Sequence, residues 1–276
     1  MVPSLGLGNV CQLSLDALLN TALHAGARVC HAATLHSAHV SAMAGARPFD
    51  LPPSGARGGD VCTALEVYTL PEAALAVLQQ RSPALEGYHE LWAEELARWA
   101  AACGIARIVA VTAIDAALRG DQELTAEGAQ VVYIATAPDA AAAAMWKPWR
   151  GADGSLFSEV PTPLSKTGLD ATEPIVPAAV AATRALMSDA LGSGYTPVFF
   201  RRMLNNRLLG RGPLFTAIMI FASEGDNTTD ALVLAGCIEC YARQPAGSGL
   251  LQGARARPPL YWAQLHGPRP DQALYG

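Results

Sequence analysis

The feature that most constrains the fold is an uninterrupted apolar run, Leu214 to Phe221, that leads through a tight turn into a helical pattern. Strands buried on both faces read as continuous apolar runs rather than as an alternation of polar and apolar residues. Residues 223–226 end the run, and Asn227 is predicted to be the N-cap of a helix that continues to Tyr241. A buried strand that feeds a helix through a short turn is the repeating unit of an α/β fold.

The remaining periodicity predicts a single α/β domain over residues 1–243, built on a mostly parallel sheet. Further strands are predicted at 2–7, 28–33, 65–70, 75–80, 107–112 and 130–135, and helices at 10–25 and 91–103. The strands on either side of Pro71 are expected to form a hairpin, whereas the strand–helix–strand spacing elsewhere favours parallel crossovers.

Three stretches lack such periodicity. Residues 43–60, with several prolines and glycines, are predicted to be a long exposed loop. Residues 137–180, rich in Ala, Pro and Gly, are predicted to be a long insertion. Residues 244–276 are predicted to be a tail that runs over the surface, pinned by Tyr261 and Trp262.

Composition excludes several classes of function. The chain has 276 residues, of which 51% are apolar and 16% charged, which suits a sizeable core and argues against global disorder. A net charge of -5 gives no electrostatic reason to bind nucleic acid. No apolar run approaches the ~20 residues needed to cross a bilayer, and the first residues lack a signal-peptide pattern. Six cysteines in a chain of this length are not a disulfide framework, so we expect a reducing compartment, the cytoplasm or nucleus.

Histidines and one cysteine cluster in the sequence as a metal site would require. His24, His31, His36 and His39 surround Cys30. Neighbouring residues on a strand point to opposite faces, so Cys30 and His31 do not converge on one ion. We therefore favour exposed loop histidines over a metal site and predict neither a metal nor another cofactor.

Two other partial motifs have plainer interpretations. Cys237 and Cys240 are half of a zinc or redox pattern, but at helical spacing we favour two small core residues. The glycine turn at residues 6–9 opens a helix, as phosphate sites do. The third glycine of the dinucleotide fingerprint falls at Cys11, so a plain tight turn is favoured.

Glu224 and Asp226 form a carboxylate pair at the end of the central strand, where sites of α/β enzymes usually lie. This pair supports an alternative hypothesis, a hydrolase- or phosphorylase-like enzyme that uses the two groups for acid–base chemistry. We favour a capped, hydrogen-bonded turn instead, because local bonds from Asp and Asn are common in turns.

Four stretches in the chain resemble the proteasome assembly chaperone 2 family. They are Val2-Pro3-Ser4 with Gly8-Asn9-Val10 and Gln12-Leu13, residues 66–71, residues 78–82, and residues 221–227 with Asp230-Ala231. The resemblance implies a three-layer α/β/α fold of the phosphorylase/hydrolase type without enzymatic use. It also implies a heterodimer with proteasome assembly chaperone 1 that binds proteasome α-subunits, promotes α-ring formation and disfavours off-pathway association of the ring.

The chain end carries a candidate binding motif, Leu274-Tyr275-Gly276. It resembles the hydrophobic-Tyr-any ending with which proteasome activators and assembly chaperones enter pockets between α-subunits. Burial of Leu274 and Tyr275 can contribute about 1.5–3 kcal/mol each. The Gly276 carboxylate can meet a lysine or backbone N–H groups without obstruction from a side chain.

Overall fold

The computed structural model describes residues 1–3, 7–56, 61–119, 131–135, 139–148, 213–246 and 255–264. Its strands are β1 (Val2–Pro3), β2 (Cys30–Thr34), β3 (Ala44–Ala46), β4 (Val61–Thr63), β5 (Leu65–Leu70), β6 (Leu75–Gln80), β7 (Arg107–Asp115), β8 (Val131–Ala135), β9 (Lys147–Pro148) and β10 (Leu214–Ala222). Its α-helices are α1 (Val10–His24), α2 (His89–Ala102), α3 (Ala140–Met145) and α4 (Thr228–Ala246). Short 3-10 turns cover Leu7–Asn9, Pro71–Ala73, Ala116–Leu118 and Leu260–Gln264.

The predicted central strand is β10, and it lies in the middle of a five-stranded sheet with the order β1-β7-β10-β8-β9. Its residues alternate between two hydrophobic cores: Phe215, Ala217, Met219 and Phe221 belong to one, and Ile218, Ile220 and Ala222 to the other. Both faces of the strand are therefore covered, which explains the continuous apolar run and confirms the prediction.

Helices cover both faces of this sheet. On one face α1 and α4 pack against each other and against the inward side chains of β7 and β10. On the other face α2 contributes Trp92, Leu96 and Ala100 to the core that contains Phe215 and Met219. Gly104 ends the α2 region with φ +69, and its amide donates to the carbonyl of Ala101.

The predicted crossovers require parallel neighbours in one sheet, and not all of the strands are arranged in this way. Pairs β1–β7, β7–β10 and β8–β9 are parallel, but β8 runs antiparallel to β10. A second sheet, β2-β5-β6, is antiparallel throughout. Within it, the turn at Pro71–Ala73 is so short that it can join β5 and β6 only as antiparallel neighbours. The Leu78 amide donates to the Met1 carbonyl at 2.8 Å and joins this sheet to the first. The predominance of parallel pairs thus holds for the five-stranded sheet alone.

Two stretches without periodicity contain more structure than expected. Strand β3 lies within residues 43–60 and pairs antiparallel with β4, which begins at Val61. The prediction of a loop is therefore wrong for Ala44–Ala46. The ring of Phe49 packs edge-on against Tyr68 with centroids 5.3 Å apart, which holds this segment on the body. Residues 139–148, placed at the start of the predicted insertion, form α3 and β9, and β9 pairs with β8. Residues 149–180 lie outside the described residues.

Candidate functional site

The turn after β10 meets the glycine turn before α1. The Asn227 side chain is buried, donates to the Gly225 carbonyl at 3.0 Å and lies directly against Gly8. The Asp226 carboxylate accepts from the Thr228 amide at 3.0 Å and from its hydroxyl at 2.7 Å. Helix α4 begins at Thr228, so Asn227 holds the predicted N-cap position, but Asp226 supplies the acceptor.

The carboxylate pair has the properties of a capped turn. Glu224 and Asp226 are both exposed at the carboxyl end of β10. One oxygen of Asp226 receives both hydrogen bonds from Thr228, as the favoured structural interpretation predicted. An exposed carboxylate that caps a helix lacks the desolvated surroundings that tune a catalytic acid or base.

The histidines that are close in the sequence contact separate partners. His24 lies on α1 and His31 on β2, and both are half-buried, so the prediction of exposed loop residues is wrong for these two. His24 lies 3.0 Å from the Asp50 carboxylate, His31 lies 3.9 Å from Glu66, and His36 is exposed. His39 approaches Glu95 at 4.0 Å. Across the described ranges, no set of three or more His, Cys, Asp or Glu side chains converges as a metal site requires.

Cys237 and Cys240 both lie on α4, and neither is in a disulfide. Cys237 is half-buried and burial raises the pKa of its thiol, whereas Cys240 is exposed. A raised pKa lowers the thiolate fraction, which is the reactive form. Of the two, only Cys237 fits the predicted role of a small residue packed towards the core.

A buried carboxylate that sequence reasoning missed joins four elements. Asp139 accepts from Arg107 at 2.6 Å, from Thr216 at 2.7 Å and from Tyr241 at 2.8 Å, and it also accepts the Ala142 amide at the start of α3. Burial alone would raise the pKa of Asp139, but these hydrogen bonds and the charge of Arg107 hold it below its ordinary value. An Asp directly before an alanine run is an N-cap signal that could have revealed it.

A second buried ion pair connects α1 to the second sheet. Asp16 accepts two bonds from the Arg81 guanidinium, at 2.7 and 3.0 Å, and one from Gln79 at 2.7 Å. Burial alone would lower the pKa of Arg81, but the adjacent Asp16 carboxylate raises it instead. Gln79 and Arg81 belong to one of the four stretches that carry the family resemblance, and their role here is to hold α1 against β6.

A cavity of about 670 Å³ opens at the amino edge of the sheet, opposite the turn of Glu224 and Asp226. Its walls are mainly apolar, with Leu75, Leu96, Trp99 and Ile105 among the lining residues. Arg107 reaches it from the start of β7, where it is already bound to Asp139. The predicted acid–base pair is therefore not in contact with this cavity.

The predicted terminal motif, Leu274-Tyr275-Gly276, lies outside the described residues, but a segment leading to it is described. Residues 255–264 contact α1 through Thr21 and contact the loop between β3 and β4 through Asp50. Trp262 is buried in the same core as α1, and the Tyr261 hydroxyl donates to Asp16 at 3.3 Å. Both aromatic residues predicted to pin the tail do contact the body.

The known proteins to which this chain is similar include relatives that share one name. The chain is 25% identical over 276 residues to "Proteasome assembly chaperone 2" of Xenopus tropicalis, an alignment that covers 100% of this chain and 94% of the relative. It is 26% identical over 236 residues to the protein of the same name from Nematostella vectensis, covering 85% of this chain and 84% of that one. No helix in the described part of the chain is long and apolar enough to span a membrane.

A solved structure supports the fold, and a family model supports the assignment. The crystal structure of a Thermoplasma acidophilum protein of unknown function matches with a TM-score of 0.52 at 14% identity, covering 90% of this chain and 76% of that one. At that identity the match concerns the fold alone. The model described as "PAC2 family" matches residues 1–196, well over half of the sequence. The chain belongs to the PAC2 family.

Proposed function

We propose that this chain is a proteasome assembly chaperone subunit that acts without enzymatic chemistry. The observation that carries the proposal is the nearly full-length similarity to proteins named proteasome assembly chaperone 2. In this proposal the chain pairs with proteasome assembly chaperone 1, and the heterodimer binds proteasome α-subunits in the cytoplasm and nucleus. It promotes formation of the α-ring and disfavours its off-pathway association.

The proposed contact with the ring is the chain end, Leu274-Tyr275-Gly276. Leu274 and Tyr275 leave water on entering a pocket between α-subunits, which contributes about 1.5–3 kcal/mol for each side chain. The Tyr275 hydroxyl finds a partner in the pocket, and the terminal carboxylate binds a cation or backbone N–H groups. Ordering the tail offsets part of this gain, so the tail binds weakly alone and strongly when a second contact holds the ring.

The α/β body, residues 1–243 with a phosphorylase/hydrolase-like arrangement and an insertion over about 137–180, serves in this proposal as a rigid platform. Two features support that role. The buried carboxylates Asp16 and Asp139 are both fully engaged in hydrogen bonds that fasten helices to the sheet. The exposed carboxylates Glu224 and Asp226 lie in a turn whose contacts are structural.

Capture of α-subunits tests the function. The full chain and its heterodimer partner are co-expressed, purified through a tag on the partner, and incubated with α-subunit intermediates that are then identified by mass spectrometry. Three forms are compared: the wild type, a deletion of residues 274–276, and Gln272→Ala, which changes the same tail outside the motif. We expect capture by the wild type and Gln272→Ala, and much weaker capture by the deletion.

Two negative results have different meanings. Absence of α-subunits from every form, with the heterodimer intact, would remove the proposed function. Equal capture by the deletion and the wild type would remove the role of the terminal motif while leaving the chaperone function in place.

A further inference from the structure

Residues 255–264 are fastened to the body by contacts distributed along their whole length, and we call them the tail anchor. The Arg257 amide donates to the Thr21 hydroxyl at 2.7 Å, and the Arg257 carbonyl accepts from Asn20 at 3.4 Å. The Leu260 amide donates to Asp50 at 2.8 Å. Two of these contacts are made to Asn20 and Thr21, which are buried polar residues on α1. The anchor therefore binds polar groups inside the protein and not only exposed surface atoms.

Packing reinforces these hydrogen bonds. Trp262 is only 7% exposed and belongs to the core formed by α1, β7, β10 and α4, whereas Leu260 in the same anchor is 73% exposed. Burial of an aromatic side chain of this size stabilises the anchored state. The indole therefore acts as the main apolar contact, and Leu260 provides a natural control position.

The acceptor for the anchor is itself held in place. Asp50 accepts from His24 at 3.0 Å and from the Asn20 amide group at 3.2 Å, while its own backbone amide donates to Asn20 at 3.0 Å. The Asp50 carboxylate is thus oriented by contacts other than the one with the Leu260 amide. A fixed acceptor costs less ordering entropy when the anchor binds than a mobile one.

We propose that the tail anchor is a positioning element that fixes the origin of the ring-binding tail on α1, an inference that rests on the proposed function. Twelve residues follow Gln264, which span at most about 40 Å when extended. Without the anchor, the tail starts at the end of α4, and thirty residues follow Ala246. Effective concentration falls roughly as the −3/2 power of tether length, so release of the anchor lowers it about fourfold.

Matched insertions test the position of the origin without disturbing the fold. The same twelve-residue Gly/Ser segment is inserted either after Gln264, between anchor and motif, or after Leu250, before the anchor. Affinity of each heterodimer for immobilised α-subunit intermediates is then measured. If the anchor fixes the origin, the first insertion doubles the tether and weakens binding about threefold, whereas the second leaves affinity unchanged.

A variant that detaches the tail anchor from the body provides a second test. Trp262→Ala is expected to speed hydrogen exchange at the Arg257 and Leu260 amides and to weaken ring binding about fourfold, while Leu260→Ala changes neither. Exchange at β10 amides reports whether the body stays folded. In the Trp262→Ala background, the insertion after Leu250 now weakens binding as well.

The outcomes separate this inference from the proposed function. Equal effects of the two insertions in the wild-type background would overturn the anchor. So would rapid exchange of the Arg257 and Leu260 amides in the unmodified protein. If deletion of residues 274–276 has no effect on capture, the tail itself has no role and the anchor inference falls with it. If the deletion matters and the insertions behave alike, only the anchor is wrong.

Discussion

Replacement of Gly8 by alanine tests whether the two turns at the carboxyl end of the sheet are packed as described. Gly8 has a φ of +59, and a Cβ there would overlap the Asn227 amide group, with the Asn227 Cγ only 2.8 Å away. The left-handed conformation costs an L residue about 1–2 kcal/mol. Displacement of the buried Asn227 amide, which donates to Gly225, adds about 1–3 kcal/mol.

The matched control is Gly26→Ala. Gly26 has a φ of +76, but a Cβ there meets no atom within 4 Å, so the substitution carries the conformational cost alone. We therefore expect Gly8→Ala to lower the free energy of unfolding by about 3 kcal/mol and Gly26→Ala by about 1 kcal/mol. The difference corresponds to a separation of several degrees between the two melting temperatures.

Urea denaturation of the single variants and of the Gly8→Ala/Asn227→Ala double variant measures the contact itself. Removal of the Asn227 side chain makes room for the new Cβ, so the double variant is expected to lose at least about 1 kcal/mol less than the sum of the single changes. Equal destabilisation by Gly8→Ala and Gly26→Ala, or strict additivity in the double variant, would refute the packing of these turns.

Three further predictions concern the carboxylates. Asp139→Ala leaves Arg107 without its buried partner and should lower the free energy of unfolding by about 3–5 kcal/mol in urea titrations; Asp139→Asn should lose less. Asp226→Ala removes the helix cap and should cost about 1 kcal/mol, whereas Glu224→Ala should stay within about 0.5 kcal/mol, both by thermal melting. The folded state holds the pKa of Asp139 and Asp50 below the unfolded value, so the unfolded chain takes up protons first. The contribution of these two carboxylates to the free energy of unfolding is therefore present at neutral pH and is lost below about pH 4. In Asp139→Asn the free energy of unfolding should depend less on pH in this range.

The central strand and its turn were predictable because every local signal agreed. The apolar run at 214–221 requires cover on both faces, and an Asp and an Asn at its end favour a helix start. The hairpin around Pro71 was predictable for the same reason: two strand patterns are separated by a turn too short for a crossover. These elements depend on interactions between residues that are close in the sequence.

The rest depended on contacts between distant residues. Asp139 meets Thr216, 77 positions away, and Tyr241, 102 positions away, and no local pattern encodes such a network. The direction of β8 is likewise decided by how the chain returns to the sheet and not by its own five residues. The anchor was predicted only as two aromatic residues, since its acceptors Thr21 and Asp50 lie more than 200 positions away.

The affinity of the proposed heterodimer for α-subunit intermediates, measured with three versions of the chain end, tests the central claim most directly. The versions are the unchanged sequence, Tyr275→Ala, and a chain with one alanine appended after Gly276, which moves the carboxylate. Loss of the buried tyrosine or of the carboxylate contact is predicted to weaken binding at least about tenfold. Equal affinity for all three versions would contradict the claim that this chain binds the ring through its end.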